Sequence, residues 1–84
     1  MNNVNEFLDT LTLGEVEFYE TYTGEGIGEV YDAGLIGKST VALYTILKRR
    51  TKPDFKVEDA KNIKTMEAYE ELKAFNDPKV TPEA

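Results

Sequence analysis

Ser39 and Thr40 offer two neighbouring hydroxyls, but a hydroxyl nucleophile needs an adjacent base. The 84-residue chain holds no His, no Cys and no Trp, so the pair is expected to cap a helix rather than to attack a substrate. Glu15, Glu17, Glu20, Glu25, Glu29 and Asp32 lie close enough in sequence for acid–base work or for a divalent cation. A calcium loop, however, alternates oxygen donors, turns on a glycine and closes with a Glu. That order is missing, and solvated helix faces are the expectation. Gly24-Glu25-Gly26-Ile27-Gly28 has the outline of a phosphate cradle. Such loops follow a strand and usually bring a Lys or a clean helix N-terminus. Here a helix precedes, and Glu25 would repel phosphate, so a helix stop and turn is expected. The absence of Cys also removes thiolate chemistry and sulfur-based zinc sites. No catalytic residue, no metal ligand and no cofactor is expected, and the reading is of a protein that is not an enzyme.

Two groups of side chains remain. Lys48, Arg49, Arg50 and Lys52 form a basic patch. One short run at a helix end, with no wider basic face, is a weak nucleic-acid signal. Cations there complement the helix dipole, and a salt link to the acidic first helix is the further expectation. Nucleic acid is not expected as a partner. The second group is aromatic: the chain has five Tyr and four Phe. Aromatic rings bury large area with few rotatable bonds and dominate binding hot spots. Phe18, Tyr19, Tyr22, Tyr31 and Tyr44 are the candidate protein-interaction residues, on the expectation that some of them surface as an apolar patch. The competing expectation is that they fill gaps left by the glycines, and both stay open here.

The elements that must position these groups belong to one small domain. A chain of this size buries roughly 60–65% of its unfolded surface. The charges are sorted: residues 1–37 carry eight acids and no base, residues 38–53 five bases and no acid, and residues 54–84 eight acids against five Lys. The net charge is −6. No segment approaches the roughly 18 consecutive apolar residues of a membrane span, and the first residues lack a signal-peptide pattern, so a cytoplasmic location is expected.

Residues 1–11, with Val4, Phe7, Leu8 and Leu11, are expected to form an extended or turn-like lead-in. Thr12-Leu13-Gly14-Glu15 is a capping-box pattern opening a helix from Leu13 to Thr23, with Gly24 as its left-handed stop. Leu13, Val16, Tyr19 and Tyr22 climb one side of it at helical spacing. A short, glycine-bounded helix is expected near Ile27–Ala33. The strongest helix is expected over Ser39–Arg50, with Ala42, Leu43, Ile46 and Leu47 on one face, Tyr44 at its edge and Pro53 beyond its end. Asp54 is expected to cap a helix over Lys56–Ile63, with Val57, Ala60 and Ile63 inward. Thr65 is expected to cap another over Met66–Asn76, striped by Ala68, Tyr69, Leu72 and Phe75. The fold class is therefore all-α: a helical domain over residues 1–76 of four to five short helices, and a disordered C-terminal tail over residues 77–84.

In order, the segments make a pattern. Thr12-Leu13-Gly14-Glu15 opens an acidic helix and Thr23-Gly24 closes it. A Gly-rich helix follows, then an Ala/Leu-rich helix ending in Arg49-Arg50, then Pro53-Asp54-Phe55 and Glu58-Asp59-Ala60. Over roughly residues 10–65 this order resembles the tail assembly chaperones of long-tailed, siphovirus-type bacteriophages, which are small acidic helical proteins of similar size. The resemblance implies a non-catalytic role in viral morphogenesis in the host cell cytoplasm: coating the long, helical tape measure protein, recruiting tail tube protein subunits, and leaving before the mature virion is complete. It also implies self-association or a longer form made by ribosomal frameshifting. Two other roles fit the same residues. One is a structural head–tail connector or neck protein, which would use these surfaces for ring assembly. The other is an acidic inhibitor that mimics DNA, although the interleaved aromatics argue against a phosphate-like double row.

Overall fold

The computed structural model describes residues 4–33 and 37–74, and the side chains of all of these except 4, 5 and 31–33. The tail expected over residues 77–84, and Phe75 of the expected final stripe, lie outside the described residues. Among those described there are six α-helices and no strand: α1 (Val4–Leu8), α2 (Leu13–Thr23), α3 (Gly28–Ala33), α4 (Gly37–Arg49), α5 (Val57–Lys61) and α6 (Thr65–Lys73). The protein is all-α, as expected. The helix beyond the expected four to five is α1, where an extended lead-in had been expected. Five residues cannot hold a helix alone. This one is held from outside, because Phe7 and Leu8 are buried in the same cluster as Leu72 of α6. Thr10 closes it by donating both its N–H, at 3.0 Å, and its hydroxyl, at 2.8 Å, to the Phe7 carbonyl.

Helix α2 runs between the residues its local chemistry names. The Glu15 N–H donates to Thr12 Oγ1 at 3.1 Å, and the Thr12 N–H donates to Glu15 Oε1 at 3.0 Å. Both otherwise unpaired amides at the helix start are thereby satisfied. At the other end Gly24 takes φ 76°, and its N–H donates to the Glu20 carbonyl at 2.8 Å. Only glycine adopts that conformation without cost.

Helix α4 is the central strut, packing against α2, α5 and α6. Ala42, Leu43, Tyr44, Thr45 and Ile46 are all buried, so neighbours enclose the helix on several sides instead of one. It begins two residues earlier than expected, and Ser39 and Thr40 are not its caps. Both lie inside the helix and are buried. Ser39 instead hydrogen-bonds the Tyr19 phenol of α2. The expected caps of the last two helices also fail. Lys56 precedes α5 and Lys64 precedes α6, neither with a side-chain capping bond. Asp54 sits in a turn where the Phe55 N–H donates to the Lys52 carbonyl at 2.9 Å, and Thr65 is the first residue of α6. These two helices are held by packing: Ala60 and Ala68 are buried beside Tyr44, with Phe55 and Ile63 against them. The larger cluster joins Phe7, Leu8, Tyr19, Val30, Leu43, Ile46 and Leu72. Burying each such large side chain contributes about 1.5–3 kcal/mol.

Candidate interaction surface

The most exposed large apolar residue among those described, Leu13, lies on helix α2. Tyr19 and Thr23, four residues apart, form its buried side. The Thr23 hydroxyl donates to the Tyr19 carbonyl at 2.9 Å and accepts from the Glu25 N–H at 3.1 Å, so its polarity is satisfied inside. Phe18 and Tyr22 stack at a 6.1 Å centroid distance on one flank of that side. Both are half-buried and pack against the main core. On the other flank Val16 is half-buried, and Leu13 is 89% exposed. Glu17 and Glu20 are also exposed, and helical spacing puts them on the side of Leu13. The apolar residues of α2 thus run around much of its circumference, and the core takes only part of them.

The expected interaction residues divide accordingly. Phe18 and Tyr22 reach the surface in part. Tyr19 and Tyr44, exposed by only 1% and 2%, do not. For these two the expectation of an exposed grip is corrected, because each ring fills the centre of a helix packing. Burial pushes the Tyr19 phenol above its ordinary pKa; Glu25 and Glu29 push the same way, and the Ser39 hydrogen bond pulls partly back. The Tyr44 hydroxyl donates to Glu71 Oε2 at 3.0 Å, tying α4 to α6. The Tyr31 side chain lies outside the described residues. Leu13, expected by spacing to share one side with Val16, Tyr19 and Tyr22, is the most exposed large apolar residue described; Met66, at 63%, comes second. Six residues before Tyr19, Leu13 falls about 120° around the helix from it, so the side that buries Tyr19 and Thr23 does not take it.

The basic patch is largely committed to the fold. Lys48 bridges to Glu71 Oε1 at 2.8 Å and lies 5.4 Å from the Tyr44 ring centre. The Lys48 hydrogen bond holds Glu71 below the usual carboxylate value, against the effect of burial. Arg49 donates to the Phe55 carbonyl at 2.7 Å, and its guanidinium sits 5.2 Å from the Phe18 ring centre. Arg50 forks onto Glu15 with bonds of 3.1 and 2.8 Å, reaches Thr10 Oγ1 at 3.0 Å and covers the Phe7 ring at 4.9 Å. The expected salt link between the basic run and the acidic first helix is therefore present. Burial works to raise the pKa of Glu15, yet Arg50 and the Thr12 amide together lower it. Lys52 is exposed. The basic run thus clasps the end of α4 to α1, α2, α6 and the turn before α5.

Between α4, α5 and α6 lies an open cleft of about 260 Å³, lined by apolar residues such as Val41, Ile63 and Ala68 and by polar ones such as Thr40, Lys61 and Thr65. No group of three acidic side chains among the described residues stands close enough to hold a metal ion. No described helix is long and apolar enough to cross a membrane. No protein-family model, curated protein or solved structure matches the chain.

Proposed function

We propose that the protein is a tail assembly chaperone of a long-tailed bacteriophage, binding the tape measure protein and tail tube subunits during tail morphogenesis without catalysing a reaction. The single observation that carries this reading is α2: an acidic helix whose core side takes Tyr19 and Thr23 while Leu13 stands 89% exposed and Phe18 and Tyr22 are only half-covered. A helical client is held by such an arrangement, apolar contact for affinity and charge for solubility. The order of elements supports it further. The capped acidic helix, the glycine stop at Gly24, the Gly-flanked α3 and the Ala/Leu-rich α4 ending in Arg49 follow the sequence in which they occur in the resembling chaperones. The grip is assigned to the Leu13 side of α2, Phe18 and Tyr22 border the core on the opposite flank, and Tyr19 and Tyr44 are assigned to the fold.

Co-expression with the cognate tape measure protein tests the reading. The chaperone is expected to raise the soluble yield of that client and to co-purify with it, and to be absent from purified virions by mass spectrometry. A client that stays insoluble with no complex recovered rejects the proposal. Recovery of the protein as a stoichiometric virion component favours a connector role instead.

A further inference from the structure

We propose that the outward side of α2, centred on Leu13, docks a cationic amphipathic helix: leucine-like side chains against Leu13 and Val16, and Lys or Arg against Glu17 and Glu20. This deepens the chaperone reading, and rests on it for the identity of the client. The chemistry itself rests on α2. Leu13 is 89% exposed with Val16 half-buried three residues on, so an apolar contact is available one turn long. Charge decides what covers it. Glu17, Glu20, Glu25 and Glu29 are exposed on α2 and the segment after it, and the chain has no Lys or Arg before residue 38. The basic residues that reach α2 contact it away from the Leu13 side. Arg50 is forked onto Glu15 on the α4 side, Arg49 bonds the Phe55 carbonyl, and the Lys38 ammonium donates to the Thr23 carbonyl at the far end, at 3.0 Å.

Three kinds of occupant can be compared. A second copy laid on this side would bring the same carboxylates against these, because a two-fold interface pairs a surface with itself. A nucleic acid would be repelled by the same field. A helix with basic residues flanking an apolar stripe meets both features at once. Flanking charges then set partner choice much as they do beside a coiled-coil seam.

The test uses the full chain and a labelled synthetic peptide of about 18 residues, five helical turns, with Leu at helical spacing and Lys elsewhere. Fluorescence anisotropy is expected to report binding. A peptide with Glu in place of Lys is expected not to bind, nor is one of identical composition whose Leu spacing is scrambled. Leu13→Asn is expected to weaken binding at least about tenfold, the loss of one buried Leu contact, with an unchanged circular dichroism spectrum. Glu17→Lys is expected to weaken binding at low salt, by a factor that shrinks as salt screens the pair. Equal binding of the Glu peptide or of the scrambled peptide overturns the proposal, as does an unaffected Leu13→Asn. A dimer in sedimentation equilibrium that Leu13→Asn dissociates also overturns it, in favour of a second copy. The co-expression experiment separates the two claims. A rescued client with no peptide binding rejects this docking chemistry alone, whereas peptide binding with no rescue rejects the chaperone reading and leaves the docking chemistry standing.

Discussion

Glu15 and Glu71 are carboxylates through which single residues tie distant parts of the chain together. Glu15 caps its own helix and receives Arg50 from the end of α4; Glu71 receives Lys48 and Tyr44 across the α4–α6 contact. Both have pKa values lowered from the ordinary 4.5. The unfolded chain therefore takes up protons first as the pH falls. Their contribution to stability is complete above pH 4.5 and is lost as the pH drops through the lowered folded values. On the alkaline side the Lys48 pKa is raised by its bond to Glu71, so that contribution persists up to at least the ordinary lysine value of 10.5. Urea midpoints are thus expected to change little between neutral pH and pH 5, then to fall on further acidification. The double variant Glu15→Gln/Glu71→Gln is expected to start lower and to show a shallower acid loss. An acid limb as steep as that of the parent would assign the loss to other groups.

The helices divide into those written in local chemistry and those made by packing. The ends of α2 belong to the first kind, and their effects are measurable there. Thr12→Ala removes the side-chain half of the reciprocal cap and is expected to cost about 1 kcal/mol. Gly24→Ala has open space for its Cβ, yet must hold φ 76°, and is expected to cost a similar amount, about 1 kcal/mol, from the backbone alone. The ends of an 11-residue helix stand about 16 Å apart, so chemical denaturation of the double variant should give nearly the sum. Because the cap at Thr12 and the glycine stop at Gly24 directly flank α2, its bounds were readable from residues 12–24. Helix α1 was not readable: Phe7 and Leu8 become helical by docking on Leu72, more than 60 residues away. The caps at Ser39, Asp54 and Thr65 failed for the same reason. Ser39 is recruited by Tyr19, and α5 and α6 are set by burial of Ala60 and Ala68 beside Tyr44. The candidate surface was half legible. Five aromatics marked α2 and its neighbours as unusual, but apolar residues spread around a helix do not say which side the core will take. The choice fell on Tyr19, and left Leu13 outside.

At the scale of the whole molecule, one strut carries the fold and one helix side is left over. Leu43, fully buried at the middle of α4, lies in the same cluster as Phe7, Tyr19 and Leu72. Leu43→Ala is expected to cost about 2–5 kcal/mol. Against a total stability of roughly 4–12 kcal/mol for a chain of this length, that is a large share. The variant should lose much of its helical circular dichroism at moderate temperature, whereas Leu13→Asn should lose none. The contrast separates residues that build the domain from one that the domain presents. It also makes the proposed function specific: on that reading, the exposed Leu13 on an acidic helix is the position that holds another polypeptide. The most direct measurement is a quantitative pull-down of the co-expressed tape measure protein by the tagged parent chain and by Leu13→Asn, both checked for equal folding. A soluble complex is expected with the parent, and a large loss of captured client with the variant. A parent chain that captures no client, or a variant that captures as much as the parent, would contradict the proposal.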